Sequence, residues 1–216
     1  MGKRYFLVLL GFSSFFINTK ILFSNNHFTI GILKYRGGDW YSCKNAVKNF
    51  LKQLKIRTNL KVNENPVIVD ASSREMFNYP FIVLNGHGQI LLNSLEKELL
   101  KKYLLGGGFL LVNDDFGLDK YFRKLINEIF PTKKLIKLPK NHNLLKCYYN
   151  FNFIPKIHKH NNKKAQALAI VVHRRIIVLY MFESDIIDGW EKKEVHNVPI
   201  LKRENAIKFG INIVYY

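Results

Sequence analysis

The chain has 216 residues, 48% of them hydrophobic and 23% charged, with 34 Lys and Arg against 16 Asp and Glu for a net charge of +18. These proportions are those of an ordinary globular protein, long enough for one domain with a sizeable core. No zinc-finger spacing, C-x-x-C pair or RNA-binding signature accompanies the charge, which excludes a cysteine metal finger and argues against specific nucleic-acid recognition.

The positive charge is dispersed in pairs such as Lys101-Lys102, Lys133-Lys134, Lys163-Lys164 and Lys192-Lys193, with no interleaved aromatic stripe. It reads as solvated faces, whose summed field would favour a polyanion or an anionic membrane surface without selecting either. Lys3 and Arg4 precede a mostly apolar, uncharged run over residues 5–17. That length fits the core of an export signal and falls short of a spanning helix. Residues 18–24 offer no small-residue cleavage pattern. Residues 1–26 are therefore expected to be a signal peptide or a retained N-terminal membrane anchor, with a buried first strand as the alternative. The folded domain is expected over residues 27–216.

Within that domain, residues 28–33 form an apolar run rich in β-formers, followed by Arg36-Gly37-Gly38-Asp39-Trp40. Ser42 is placed to cap a helix bearing Ala46, Val47, Phe50, Leu51 and Leu54 at helical spacing. Residues 66–69 and 81–84 are buried-strand candidates, the second ending in Asn85-Gly86-His87-Gly88. Asn93 or Ser94 starts a helix through Leu105, with Glu96 and Glu98 favouring its dipole, and Gly106-Gly107-Gly108 stops it. The strand at 109–112 runs into Asn113-Asp114-Asp115-Phe116-Gly117, and residues 118–130 are amphipathic up to Pro131. Residues 138–162 show no clean period and predict an irregular excursion, in which His158-Lys159-His160, its two imidazoles at i, i+2, reads as solvated loop, with metal ligation as the alternative. Residues 167–172 and 176–182 predict two strands joined at His173-Arg174-Arg175, and residues 203–214 a closing helix.

Short apolar strands alternating with amphipathic helices predict an α/β domain, a mostly parallel sheet with helices on both faces. In such sheets ligands bind beyond the carboxyl ends of the strands, so the polar strings after the strands should converge on one rim. Asp114 and Asp115 end a strand there, and adjacent carboxylates repel unless a cation holds them. With His87 they form the expected metal set, Glu183 and Asp185 joining an O/N site suited to Mg²⁺, Ca²⁺ or Mn²⁺. The alternative is that Asp115 or Asn113 caps the next helix. His87, between glycines, is either a base or ligand or a hydrogen-bonded turn residue. Asp39 and Trp40 stand where a loop at a helix N-terminus can bind an anion, or where they serve as cap and lid.

The segment after the last strand concentrates acids in a basic chain, with Glu183, Asp185, Asp188, Glu191 and Glu194 beside Trp190 and His196. Their spacing cannot line one strand face, so a loop with an Asp188-Gly189 turn is expected, lending one or two carboxylates to the site. Trp190 either stacks on a sugar or peptide or pins the loop. His196 docks on the crevice or leads into the last helix. Cys43 and Cys147 are expected as two buried free thiols, a disulfide between them staying open.

The strings Tyr35-Arg36-Gly37-Gly38-Asp39-Trp40, Asn85-Gly86-His87, 107–115, Glu183-Ser184-Asp185 and His196-Asn197 resemble a bacterial family, the domain of unknown function 4159, over residues 28–215 in order. The resemblance implies a flavodoxin-like, class I glutamine-amidotransferase-like fold in exported or membrane-associated proteins, periplasmic or held at the inner membrane. It also implies cell-envelope partners, in systems containing MoxR-type ATPases and von Willebrand A-domain proteins. It implies no reaction. Amidotransferases of that class carry a Cys nucleophile on a strand-to-helix turn. The matching turn here, residues 112–117, has no Cys, Ser or Thr, so glutaminase activity is not expected. The expected function is a ligand- or partner-binding domain of the cell envelope. A metal-assisted hydrolase built on His87, Asp114 and Asp115 is the alternative, and nonspecific binding to anionic surfaces a third reading.

Overall fold

The computed structural model describes residues 27–216, so the expected signal or anchor at 1–26 lies outside the described residues. A seven-stranded sheet runs in the order β3-β1-β4-β6-β9-β8-β7. Its first five strands are parallel: β3 (Val67–Asp70), β1 (Gly31–Lys34), β4 (Phe81–Leu84), β6 (Phe109–Asn113) and β9 (Arg175–Phe182). β8 (Gln166–Val172) returns antiparallel to β9 through a tight turn, and β7 (Ile136–Lys137) closes that edge antiparallel to β8. The sequence pattern gave no sign of β7, a two-residue exposed strand flanked by lysines, the usual way to blunt an open edge.

Strand alternation sorts the core into two layers, one on each sheet face. Ile32, Val83, Leu111 and Leu179 pack on one side with α1 (Lys44–Arg57) and α5 (Ile200–Tyr215). Leu33, Leu84, Val112 and Tyr180 pack on the other with α2 (Ser94–Leu105) and α3 (Asp119–Ile129). A short α4 (Lys193–His196) precedes α5. The parallel strands are buried on both faces because helices cover both.

Local chemistry places the ends. Asn93 caps α2 in a reciprocal box with Glu96, as its sequence signature predicts. Ser42 caps nothing: α1 begins after a 3-10 turn over Trp40–Cys43, and the Ser42 Oγ instead accepts from Asn85 Nδ2 at 3.1 Å. Cys43 thus lies in that turn and is buried, whereas Cys147 is exposed, and both are free. The expectation of two buried thiols fails at Cys147, which sits at the surface of the irregular stretch with its Sγ 3.2 Å from the Asn212 carbonyl.

A separate two-stranded ribbon, β2 (Arg36–Gly38) with β5 (Gly88–Leu91), folds the loop after β1 against the loop after β4. Gly86, at φ +132°, has no room for a side chain there: a Cβ would stand 2.6 Å from the Tyr35 hydroxyl. That close approach sets Asp39 beside His87.

Candidate functional site

The crevice opens at the carboxyl ends of β1, β4, β6 and β9. The chain leaves β1 for an outer neighbour, β3, and then crosses back to β4 on the other side. That reversal of strand order is where open α/β sheets hold their ligands. The cleft has a volume of about 390 Å³, and His87, His158, His160, His196, Asp115, Asp185, Asp188 and Glu191 line it together with Ser42, Cys43 and Asn85.

His87 bridges two carboxylates from different strand ends. Its Nδ1 lies 2.9 Å from Asp39 Oδ2 and its Nε2 lies 3.0 Å from Asp115 Oδ1. Its backbone N–H also donates to Asp39 Oδ1. Burial disfavours charge on this imidazole, but the Asp39 hydrogen bond and the Asp115 and Asp39 charges prevail and raise its pKa. Burial acts on Asp39 in the opposite sense to its hydrogen bonds from His87, and those bonds hold the carboxyl below its ordinary value. Asp39 is therefore a partner of His87, and its side chain does not cap the following turn.

Asp115 is enclosed, and burial together with the Asp185 charge pushes it up to about 7. Two buried amides fix its surroundings. Asn85 Nδ2 lies 3.4 Å from Asp115 Oδ2, and Asn113 Nδ2 donates to Asn85 Oδ1 at 2.8 Å and to Asp185 Oδ1 at 2.9 Å. Asn113 Oδ1 accepts the Ile187 N–H at 3.2 Å, so this one amide ties β6 to the loop after β9. Asp185 also stands 3.2 Å from His160 Nε2, a buried nitrogen without a well-aligned hydrogen-bond partner. The closeness of that carboxylate raises the pKa of the imidazole against the cost of burial. Asp188 lies 3.0 Å from His158 Nε2 and 3.7 Å from His196 Nε2, and burial beside Asp185 pushes its carboxyl up to about 6.

Other expected site residues turn to scaffold roles. Asp114 points away from His87, accepting the Tyr180 hydroxyl at 2.9 Å and the Glu183 N–H at 2.6 Å. Burial pushes it up to about 6. The expected grouping of Asp114, Asp115 and His87 therefore keeps only the last two together, because adjacent residues at a strand end face opposite sides. Glu183 sits in the left-handed region at φ 55° and is fully buried. It receives Lys156 Nζ at 2.9 Å and Asn161 Nδ2 at 3.0 Å, and these bonds, against the cost of burial, hold it below its ordinary value. Trp190 is enclosed, stacked on Phe50 with centroids 4.1 Å apart and its Nε1 donating to the Ala206 carbonyl. Trp40 is half-buried against both core layers. Neither indole lines the cleft.

His158 and His160 line the cleft from the irregular stretch, although the sequence pattern favoured a solvated loop for them. Their segment is clamped on the turn after β9: the Ser184 Oγ donates to the Pro155 carbonyl at 2.6 Å and the Ile157 N–H to the Ser184 carbonyl at 2.8 Å. The i, i+2 histidine spacing was the only signal of it.

The one thiol at the cleft, Cys43, is pushed well above the usual thiol range by burial, so it does not supply a ready thiolate. Among the described residues no helix is long and apolar enough to cross a membrane. In comparison with known families, a model described as a domain of unknown function, DUF4159, matches residues 29–216. A search of curated proteins returned no match.

Proposed function

The chain belongs to the DUF4159 family, a domain of unknown function, and from that footing we propose that it is a ligand-binding domain whose crevice receives a cationic group. One observation carries this reading: Asp115, Asp185 and Asp188 meet in a partly enclosed cleft of a chain whose net charge is +18. Carboxylates forced together out of water are stabilised by a cation and would otherwise take up protons. The parallel strands follow the order 2-1-3-4-5 when numbered along the chain, which supports a flavodoxin-like fold related to the class I glutamine amidotransferases. The turn after β6 lacks their nucleophile. The basic and apolar N-terminal run supports export or anchoring at the bacterial envelope, where MoxR-type and von Willebrand A-type proteins are the partners the family resemblance suggests.

The test is a thermal-shift panel on the full chain, with spermidine, arginine amide and divalent cations set against phosphate and citrate. At about 100 times its Kd a ligand adds about 2.7 kcal/mol, several degrees in Tm. At least one cationic probe should stabilise the parent, and stabilise an Asp115→Asn/Asp185→Asn variant less. Stabilisation by anions alone would sink the reading.

A second reading, metal-assisted hydrolysis, is favoured by the Asp39–His87–Asp115 line, which orients an imidazole between a fixed carboxylate and one that titrates near neutrality. It requires turnover of activated phosphate or acyl esters by the metal-supplemented parent and its loss in His87→Gln. No turnover on either ester class removes it.

A further inference from the structure

We propose that His158, Asp188 and His196 form a mononuclear transition-metal site, matched to Zn²⁺, with an open coordination position facing the cleft. The inference rests on the cationic-ligand reading above and gives that cation an address. It also moves the expected metal away from the Asp114, Asp115 and His87 set, of which Asp114 is committed to Tyr180 and the Glu183 N–H.

The geometry is convergent. Nε2 of His158 and Nε2 of His196 lie 3.0 and 3.7 Å from the same Asp188 Oδ2, and one ligand atom from each of the three residues falls within 4.8 Å of the other two. Zinc bonds of about 2.0–2.1 Å in a tetrahedron place neighbouring ligand atoms about 3.3–3.5 Å apart. The two short edges bracket that value. His196, the ligand with the longer contact, ends the four-residue α4 on an exposed surface, where metal binding would require it to move inward.

The angles agree with the distances. His158 Nε2 is buried and has no hydrogen-bond partner, although Asp188 Oδ2 stands only 3.0 Å away. At that separation only a poor angle prevents a bond, so the imidazole edge is aimed beside the carboxylate rather than at it. His160 Nε2 shares that state beside Asp185, but only His158 has a second imidazole, that of His196, on the same carboxylate oxygen. A buried imidazole nitrogen left without a hydrogen bond beside a carboxylate keeps a donor atom available to an ion that both groups can reach. Their identity narrows the ion. Two imidazoles and one carboxylate with a vacant fourth place suit zinc or a neighbouring first-row metal, whereas Mg²⁺ and Ca²⁺ require shells made of oxygen.

The site is also held from behind. Lys156 and Asn161, on either side of His158, are both bound to the enclosed Glu183 carboxylate, and the Ile157 carbonyl accepts Lys202 Nζ at 2.7 Å. Such outer contacts restrict where a ligating loop can move.

The experiment uses the full chain, stripped with chelator and titrated with Co²⁺ as a visible-absorbance probe, then with Zn²⁺ in competition with a chromophoric chelator. Circular dichroism confirms that each variant is folded. The expected result is one equivalent of Co²⁺ with intense low-symmetry bands, displaced by Zn²⁺. His158→Gln, Asp188→Asn and His196→Gln should each weaken Zn²⁺ binding by about 100-fold, and His160→Gln and Asp115→Asn by no more than about 3-fold. If Asp188→Asn does not fold, His196→Gln carries the test, since its exposed ring supports no core contact. Absence of stoichiometric metal binding by the folded parent overturns the site, as does unchanged affinity in His158→Gln and His196→Gln. Loss confined to Asp115→Asn overturns this address while leaving the cationic crevice standing. The same separation holds if spermidine or arginine amide still stabilises a parent that binds no metal. A parent stabilised only by anions removes the crevice reading and this site together.

Discussion

Glu183 holds Lys156 at 2.9 Å while being itself fully covered, and the layer that covers it is the histidine-bearing segment it anchors. The pair therefore fixes where His158 and His160 sit without either of its members lining the cleft. Lys156→Met leaves Asn161 as the remaining side-chain partner of a covered carboxylate. Breaking a buried pair costs about 3–5 kcal/mol. Because water reaches Lys156, the expected loss here is about 1–3 kcal/mol. Urea denaturation measures it, and amide exchange over residues 156–161 should accelerate selectively. A loss below about 0.5 kcal/mol would reduce the pair to a solvent-screened contact.

Trp190 is predicted to matter for stability and not for ligand capture. Its ring lies on Phe50, and Gly210 lets α5 approach both: a Cβ there would stand 2.6 Å from Phe50 and 2.9 Å from Trp190. Trp190→Ala should cost about 3–5 kcal/mol and Gly210→Ala about 1–3 kcal/mol by overpacking. Chemical denaturation checks both. A Trp190→Phe variant that keeps the fold but loses all cation-induced stabilisation would return this residue to the site.

The sheet was legible because its strands are short, apolar and bounded by glycine or acid clusters. Leu33, Leu84 and Val112 are buried together with their apolar chain neighbours, as the continuous apolar runs predict. The rim was legible as well, since His87, Asp115 and Asp185 follow strand ends. What was hidden depends on contacts distant in sequence. Asp114 and Asp115 look equivalent in the chain, and it is the Tyr180 hydroxyl and the Glu183 N–H, 66 and 69 residues away, that draw Asp114 out of the cleft. His158 and His160 sit in a segment without periodicity, whose course is set by Glu183 and Ser184 on another element. A run of Lys, Asn and His gives no local signal of such anchoring.

His87 should titrate above its ordinary value in the parent and lower in Asp39→Asn. The Asp39 hydrogen bond, with the Asp115 and Asp39 charges, overcomes the burial that opposes its protonation, so removing Asp39 takes away part of that support. The reciprocal change is predicted at Asp115: removing the imidazole in His87→Gln takes away a charge that lowers its pKa, so the carboxyl should move further above about 7. NMR titration of the histidine ring protons and of the Asp115 carboxyl carbon reads both. An unmoved His87 in Asp39→Asn would show that the 2.9 Å contact does not set its charge.

Stability should peak in mild acid. Burial raises Asp114 from 3.8 to about 6 and Asp115 to about 7, so across that window the folded chain binds protons that the unfolded chain has released. Stability therefore falls as pH rises from about 4 to about 7. His87 acts in the same direction, because a raised imidazole contributes below its unfolded pKa and loses that contribution as pH climbs through the folded one. On the acid side the lowered carboxyls of Glu183, Asp39, Asp70 and Glu204 contribute above their unfolded values and lose this as pH falls through the folded ones. The two slopes meet at about pH 4, around the unfolded carboxylate values. For Asp114 alone the change corresponds to roughly 2–3 kcal/mol. Tm measured from pH 4 to 8 at constant ionic strength should decline toward pH 8 in the parent and decline less in Asp114→Asn, whose amide cannot ionise. A parent whose Tm rises steadily through that range would mean that Asp114 and Asp115 are ionised in the fold and already balanced by a bound cation.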